Sequence, residues 1–494
     1  MNRSCFRRRA TALAVVGTLG GCAFSNDTQV EIVDYDGAQQ TFAFQVATVK
    51  TFRNEVPFGQ DPVGEPEPTV ELPYSPNITN LKGIHVEIRG GGSFGSNLCG
   101  GAGATNMTRE EFYAANILSE PGPVEIQYNV NPLGVAVASD HDSMFLLSTY
   151  THFDRVRHFF RSTLGDDSRA TTTLVVAVFD TEAAVGCRAP WGGGPSLPIL
   201  IADNAAYAGQ ADMFVLLRNT FSTATPPGVE FGINPGIIAH EFGHRLFAQN
   251  VYFSDAAFRR LVVDTYGSVE DQAKQCEDQT EDDVDDCAIS AKLLSGMNEG
   301  TADIFAYLYI GTPDFLLPFS FPASELEQRD MAAAPSGEEG LHLYEPVPLL
   351  AKEQGWNHYR LGTLWSRGFR AGIVDPRSGA ELGSNEEEAR VAAAREFHGR
   401  ALLRALREQG EDFVVNFRFE PRQLVRRYLQ QLGQPQGGIT PHSNVKSAAC
   451  QALCDRFGDM PITPVDRAGF PADAQCAGFT GKNLKTEVTF PCTL

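Results

Sequence analysis

The chain has 494 residues, with 61 acidic against 40 basic side chains and a formal net charge of −21. A surface this acidic repels a phosphate backbone, which excludes a general nucleic-acid binder. The length supports two or three domains, and a hydrophobic content of 43% is enough to build their cores.

The first element concerns export. Arg3, Arg7, Arg8 and Arg9 precede the apolar stretch Ala10 to Leu19, which reads as a secretion signal over residues 1–21 and is too short to span a bilayer. The following Leu19-Gly20-Gly21-Cys22 resembles the bacterial lipoprotein cleavage box. That resemblance implies a lipidated Cys22 and a chain anchored to the membrane of the bacterial cell envelope. Ala23, where an aspartate is associated with inner-membrane retention, points to the outer membrane. Ordinary signal cleavage and a freely secreted chain is the alternative. Loss of the leader's four arginines leaves 36 bases against 61 acids. Beyond Cys5 and Cys22 stand Cys99, Cys187, Cys276, Cys287, Cys450, Cys454, Cys476 and Cys492, an even set that suggests four disulfides in an oxidising compartment. Local spacing favours Cys276 with Cys287 and the last four among themselves; a zinc knuckle is the poorer reading of those four.

Residues 22–82 read as tether and linker, with the alternating run Thr41 to Val46 and the Pro/Gly/Glu-rich Pro57 to Pro68. Residues 83–137, with short runs such as Val86-Glu87-Ile88 and Val124-Glu125-Ile126, predict a small β-rich region. Residues 138–290 predict a mixed lobe, with a helix from Phe145 to Leu164, a strand from Thr173 to Phe179 and a strand-like run Met213 to Leu217. Residues 291–445 read as mainly helical, with helices over Leu361 to Arg370, Glu386 to Gln409 and Pro421 to Gln431. Residues 446–494 form a disulfide-rich tail. The fold class expected is α+β.

The chemistry concentrates in two segments. Ile237 to Phe247 carries His240-Glu241-Phe242-Gly243-His244 on an apolar helical pattern. At 3.6 residues per turn the two histidines share a face and can offer two nitrogens to one zinc ion, with Glu241 placed to take a proton from metal-bound water. The bland reading is a helix that happens to hold two histidines. Met297 to Tyr307 predicts a second helix, whose Glu299 supplies the third, anionic ligand that catalytic zinc needs. Asp303, one turn on, can accept the remaining N–H of a ligand histidine and fix its tautomer. Between the two segments, Cys276 to Cys287 encloses ten residues rich in Asp and Glu. This reads as an acidic loop stapled by a disulfide. Calcium (Ca2+) binding is the alternative, although the ligand spacing of a calcium hand is absent.

These two helices resemble those of the thermolysin-like zinc endopeptidases, the gluzincins. The resemblance covers roughly residues 140 to 375 and implies a two-lobed fold, a mixed sheet and helix lobe facing a helical lobe across the active cleft. It implies one catalytic Zn2+ held by His240, His244 and Glu299, Glu241 as general base, and a monomer acting on peptide or protein substrates. Asp203-Asn204-Ala205-Ala206-Tyr207 resembles the family's Asn-Ala-Phe segment, which implies that Asn204 and Ala205 hold the substrate backbone along a sheet edge. Arg329-Asp330-Met331 resembles its Arg-Ser-Met segment, whose arginine supports the ligand glutamate and the substrate carbonyl. His358, four residues before Gly362, resembles the family's transition-state histidine, with Glu353 where an orienting aspartate is expected. His342 lacks a following helix and His398 sits in a charged helix expected to be solvated, so His358 is preferred. The spacing from His244 to Glu299 exceeds that of the compact bacterial members. A catalytically inactive surface lipoprotein that binds peptide, polysaccharide or a protein partner is the alternative function, and retention of Glu241 argues against it.

Overall fold

The computed structural model describes residues 41–44, 70–73, 80–83, 85–94, 107–130, 135–179, 181–184, 198–199, 205–216, 232, 234–251, 253–254, 258, 281–313, 315, 329–332, 358–376, 387–416, 421–436, 438 and 443–457. In a few of these, including 281–293 and 358–360, the backbone path is described without the side chains. The secretion signal, the Cys22 box, the Pro57 to Pro68 linker, Asn204, Cys276, His342, Glu353 and everything after Phe457 lie outside the described residues.

The architecture is α+β, with a mixed five-stranded sheet at its centre. Its strands are β3 (Val86–Gly90), β6 (Gly122–Pro123), β9 (Val175–Phe179), β12 (Ala205–Ala208) and β13 (Met213–Leu216), in the order β12-β13-β9-β3-β6. The inner pairs β13/β9 and β9/β3 are parallel, while β12 and β6 close the two edges antiparallel. There are two further four-stranded sheets. One orders β2 (Val70–Pro73), β1 (Thr41–Phe44), β8 (Val135–Ala138) and β7 (Tyr128–Val130); the other orders β11 (Pro198–Ile199), β10 (Glu182–Ala184), β4 (Ser93–Phe94) and β5 (Ile117–Ser119).

The uninterrupted apolar run of β9 follows from burial on both faces. Val175, Ala177 and Phe179 join the main core with Phe214 and Leu216 of β13, while Val176 and Val178 pack with Phe94, Ala211, Met213 and Val215 on the other side. Period-2 alternation divides the strand between two cores.

The helices are α1 (Arg109–Ala115), α2 (His141–His158), α3 (Arg169–Thr172), α4 (Pro235–Asn250), α5 (Glu281–Ile310), α6 (His358–Val374), α7 (Glu387–Asn416), α8 (Pro421–Leu432) and α9 (Ser443–Phe457). Helix α2 starts earlier than the apolar pattern predicts because the Asp140 carboxylate caps the N–H of Ser143 at 2.8 Å. It does not run to Leu164 as an α-helix; it ends at His158 and continues as a π turn, Phe159–Thr163. Helix α4 begins where Asn234 accepts the Gly236 N–H at 2.7 Å and Pro235 occupies the first turn. An aromatic row joins the layers: Phe214 of β13 stacks on Phe242 of α4 at 5.8 Å, Phe242 on Phe160 at 5.5 Å, and Phe160 meets Phe305 of α5 edge-on at 5.3 Å. Each ring is fully buried, contributing about 1.5–3 kcal/mol.

Three expectations need correction. The acidic residues from Glu281 to Asp286 are not loop but the opening turns of α5, where negative charge favours the positive end of the helix dipole. The Asn298-Glu299 pair accordingly lies inside a thirty-residue helix, not at its start. The boundaries expected after residues 137, 290 and 445 fall inside β8, α5 and α9, and one hydrophobic core runs from α2 through α9 without a break. Cys450 is buried and disulfide-bonded.

Candidate metal centre

The centre forms where α4, α5 and α6 cross, and small residues set how closely they approach. A Cβ on Gly243 of α4 would lie 2.7 Å from Ala302 Cα of α5; one on Gly300 of α5 would lie 2.2 Å from the Gly362 carbonyl oxygen of α6. Side chains at either crossing would push the backbones apart. Because Gly243 adjoins His244 and Gly300 adjoins Glu299, the two tight contacts bracket the ligand positions.

The helices bring His240, His244 and Glu299 together with one ligand atom of each within 4.8 Å of the others. His240 Nε2 and His244 Nε2 are 3.1 Å apart. Their distances to the two oxygens of Glu299 are 3.6 Å and 3.7 Å. Tetrahedral zinc with bonds near 2.0–2.1 Å places neighbouring ligand atoms about 3.3 Å apart, so the spacing fits one such ion. The far side of each imidazole is fixed. His240 Nδ1 lies 3.0 Å from Asp303 Oδ1 and His244 Nδ1 lies 3.1 Å from Asn298 Oδ1. Donation of both Nδ1–H groups turns both Nε2 atoms inward. Phe315 stacks parallel on the His240 ring at 5.9 Å.

Electrostatics at this point favour a cation. Burial and the Arg329 charge press His240 downward, yet hydrogen bonds to Asp303 and Glu299 outweigh them and raise it to about 9. Burial, with the positive neighbours His240 and Arg329, lowers His244 to about 4 against the pull of Glu299. Burial opposes ionisation of Glu299, but His244, His240 and Arg329 hold its carboxyl well below the usual carboxylate range. Two imidazole nitrogens and a carboxylate brought this close are a donor set suited to a metal ion.

Glu241 stands beside the cluster and is not one of its three ligands. It is buried, and burial reinforced by Glu299 raises it to about 7, while the backbone N–H of Tyr207 donates to its carboxylate. A buried carboxylate near neutrality can take up and release a proton. Arg329 reaches Asp303 through a short hydrogen bond and Glu299 Oε2 at 3.4 Å, and lies 3.4 Å from His240 Nδ1. Ala205 opens β12, the sheet-edge strand that also carries Tyr207. His358 is the first residue of α6, one turn before Gly362, with its side chain outside the described residues.

Helix α4 is locked to the β12–β13 hairpin by a buried network. Arg245, with no solvent exposure, donates to both Asp212 oxygens at 2.9 Å and 3.1 Å and to the Leu174 carbonyl at 3.0 Å. The Tyr207 hydroxyl donates to Asp212 at 2.8 Å, and Gln249 donates to the hydroxyls of Tyr113 and Tyr207 at 2.9 Å and 3.2 Å. Asp212 takes a positive φ of 49° to reach the helix, a conformation that Asp tolerates better than most residues. The sequence reading gave no part to Asn298, Tyr207, Asp212 or Arg245. Asn298 was within reach because it directly precedes Glu299; the others come together only through the hairpin.

Fold and site together define an α+β chain with a His-His-Glu cluster able to hold a metal ion and a buried carboxylate beside it. No protein-family model matches the chain and no curated protein matches it significantly.

Proposed function

We propose that the chain is a zinc-dependent endopeptidase of thermolysin-like, two-lobed organisation. The observation that carries this reading is the convergence of His240, His244 and Glu299 with both Nδ1 groups fixed and Glu241 alongside. When bound, zinc supplies a Lewis acid that polarises a peptide carbonyl and makes water acidic. Glu241 takes the proton from the attacking water and returns it to the leaving amine. Arg329 pairs with both Glu299 and Asp303, Asp303 orients His240, and Asn298 orients His244. His358 of α6 is proposed to stabilise charge on the reacting carbonyl oxygen. Asn204 and Ala205 are proposed to hold the substrate backbone along β12, an edge strand of the five-stranded sheet among the described residues.

Export by the arginine-rich leader and a lipid anchor on Cys22 belong to the same proposal, which places the enzyme at the bacterial envelope. Among the described residues no helix is long and apolar enough to cross a membrane. Several acyl chains at about 0.8 kcal/mol per buried methylene suffice for stable attachment.

The test joins metal analysis to one substitution. Purified protein should contain one equivalent of zinc, lose casein hydrolysis on chelation and regain it when zinc is restored. Glu241→Gln should keep zinc and lose about a hundredfold or more in kcat. Equal activity of wild type and Glu241→Gln at matched metal content would overturn the catalytic reading. A zinc-loaded protein with no activity against unstructured substrates would favour the binding lipoprotein instead.

A further inference from the structure

A second feature of α5 lies one turn past Asp303 and takes no part in the metal cluster. Tyr307 is 2% exposed. Arg370 of α6 sets its guanidinium carbon 6.0 Å from the centre of that ring. Arg395 of α7 lies against the end of α5, where Gly311 turns the chain with φ +87°. A Cβ on Gly311 would come within 2.3 Å of Arg395 Nη1, so the glycine makes the room that the guanidinium occupies. Arg395 is 93% buried, and its Nε and Nη1 have no hydrogen-bond partner; neither has Nε of Arg370. Among the described residues no carboxylate pairs with either arginine. Both charges act on the Tyr307 phenol and pull against the effect of its burial.

Such an arrangement is costly as it stands. A buried guanidinium without a counter-charge loses several kcal/mol of solvation. The carbonyl end of α5 offers only about half a negative charge to offset two positive ones. Guanidinium forks are shaped for the oxygens of phosphate, sulfate or carboxylate, and the phenol adds a further O–H donor. We propose that Arg370, Arg395 and Tyr307 form a binding site for a doubly charged oxyanion of the phosphate or sulfate type, set between α5, α6 and α7. Two fixed charges match a dianion. The partly exposed Arg370 marks the side from which it enters. This site does not depend on the peptidase reading, since none of its residues touches the metal ligands.

The experiment uses the full mature chain with its metal in place. Calorimetric titration with inorganic phosphate and with sulfate should each find one site, and thermal unfolding should shift upward with either ion. Acetate and chloride at matched ionic strength should give neither effect. Arg370→Met and Arg395→Met should weaken phosphate binding at least about tenfold, and Tyr307→Phe should weaken it by a smaller factor. In phosphate-free buffer Arg395→Met should unfold at a temperature no lower than wild type, because a buried charge with no carboxylate partner among the described residues has been removed. Should that variant fail to fold, Arg370→Met and Tyr307→Phe decide the matter. Equal shifts with chloride and phosphate would reduce the effect to screening and overturn the site. Phosphate binding undiminished in Arg370→Met would do the same, as would a destabilised Arg395→Met in a protein that ignores phosphate.

Discussion

A single residue shows how far burial can redirect chemistry that a sequence pattern suggests. His398 lies in a helix dense in charge, and the expectation of a solvated side chain is wrong. It is fully buried among Phe369, Phe397 and Tyr428, with Nδ1 2.5 Å from the Tyr428 hydroxyl. Apart from the buried Arg395, the charged side chains described on α7 are at least partly exposed, and His398 belongs to the inner stripe with Phe397, Ala401, Leu402 and Ala405. Burial lowers its pKa to about 3, against 6.5 when free. Above pH 6.5 both folded and unfolded chains carry it neutral, so it contributes nothing there. Below 6.5 the unfolded chain gains a proton that the folded one refuses, and stability falls until the pH nears 3. At pH 4.5 the loss amounts to roughly 2–3 kcal/mol. Chemical denaturation between pH 7 and 4.5 should therefore show a shallower acid loss in His398→Gln than in wild type. The difference between the two slopes isolates this residue from Asp154, whose burial raises it to about 6 and which acts in the opposite sense. Parallel slopes would mean that His398 is not the acid-sensitive group.

At the scale of elements, the candidate metal cluster depends on how closely α5 can approach α4 and α6. Gly300 is the tightest of these points, since its missing side chain faces backbone and not a movable side-chain tip. Gly300→Ala should destabilise the fold by about 1–3 kcal/mol and weaken zinc binding at least severalfold, because Glu299 moves with its neighbour. Gly433→Ala, where the nearest contact is 3.2 Å at the edge of α8, serves as the control. Zinc affinity unchanged in Gly300→Ala would show that the crossing can relax without disturbing the ligands. These elements were unequally legible in the sequence. Helix α4 was plain because its apolar face and ligand spacing share one period, and β9 because an unbroken apolar run five residues long fits a strand buried on both faces. The start of α5 was hidden: its acidic first turns have the composition of a solvated loop, and only their position at a helix N-terminus makes them favourable. The Arg245–Asp212–Tyr207 network was invisible for another reason. Its members are separated by up to 38 positions in the chain, and the turn that joins them is defined by the hairpin geometry of β12 and β13.

Across the whole molecule, the core is continuous from the sheet to the last described helix, and α5 is the element that joins its parts. It packs on α4 and α6, and it carries Glu299 and Asp303 to the histidines and Tyr307 to the arginines. A metal ion at the cluster would therefore link α4 to α5 by bonds that the unfolded chain cannot reproduce in the same geometry, so metal affinity becomes folding stability. At zinc concentrations 100 to 1,000 times the dissociation constant this linkage is worth about 3–4 kcal/mol. Calorimetric unfolding after chelation should move down by roughly several degrees in a chain of this size, and restoring zinc should bring the transition back. Glu299→Ala, which removes the one of the three cluster ligands that α5 supplies, should unfold at one temperature with or without chelator. Glu241→Gln should retain the full shift, because its carboxylate is not one of the three ligands. A wild-type transition that ignores both chelator and zinc would separate the cluster from metal binding altogether, and a shift that survives in Glu299→Ala would place the ion elsewhere in the chain.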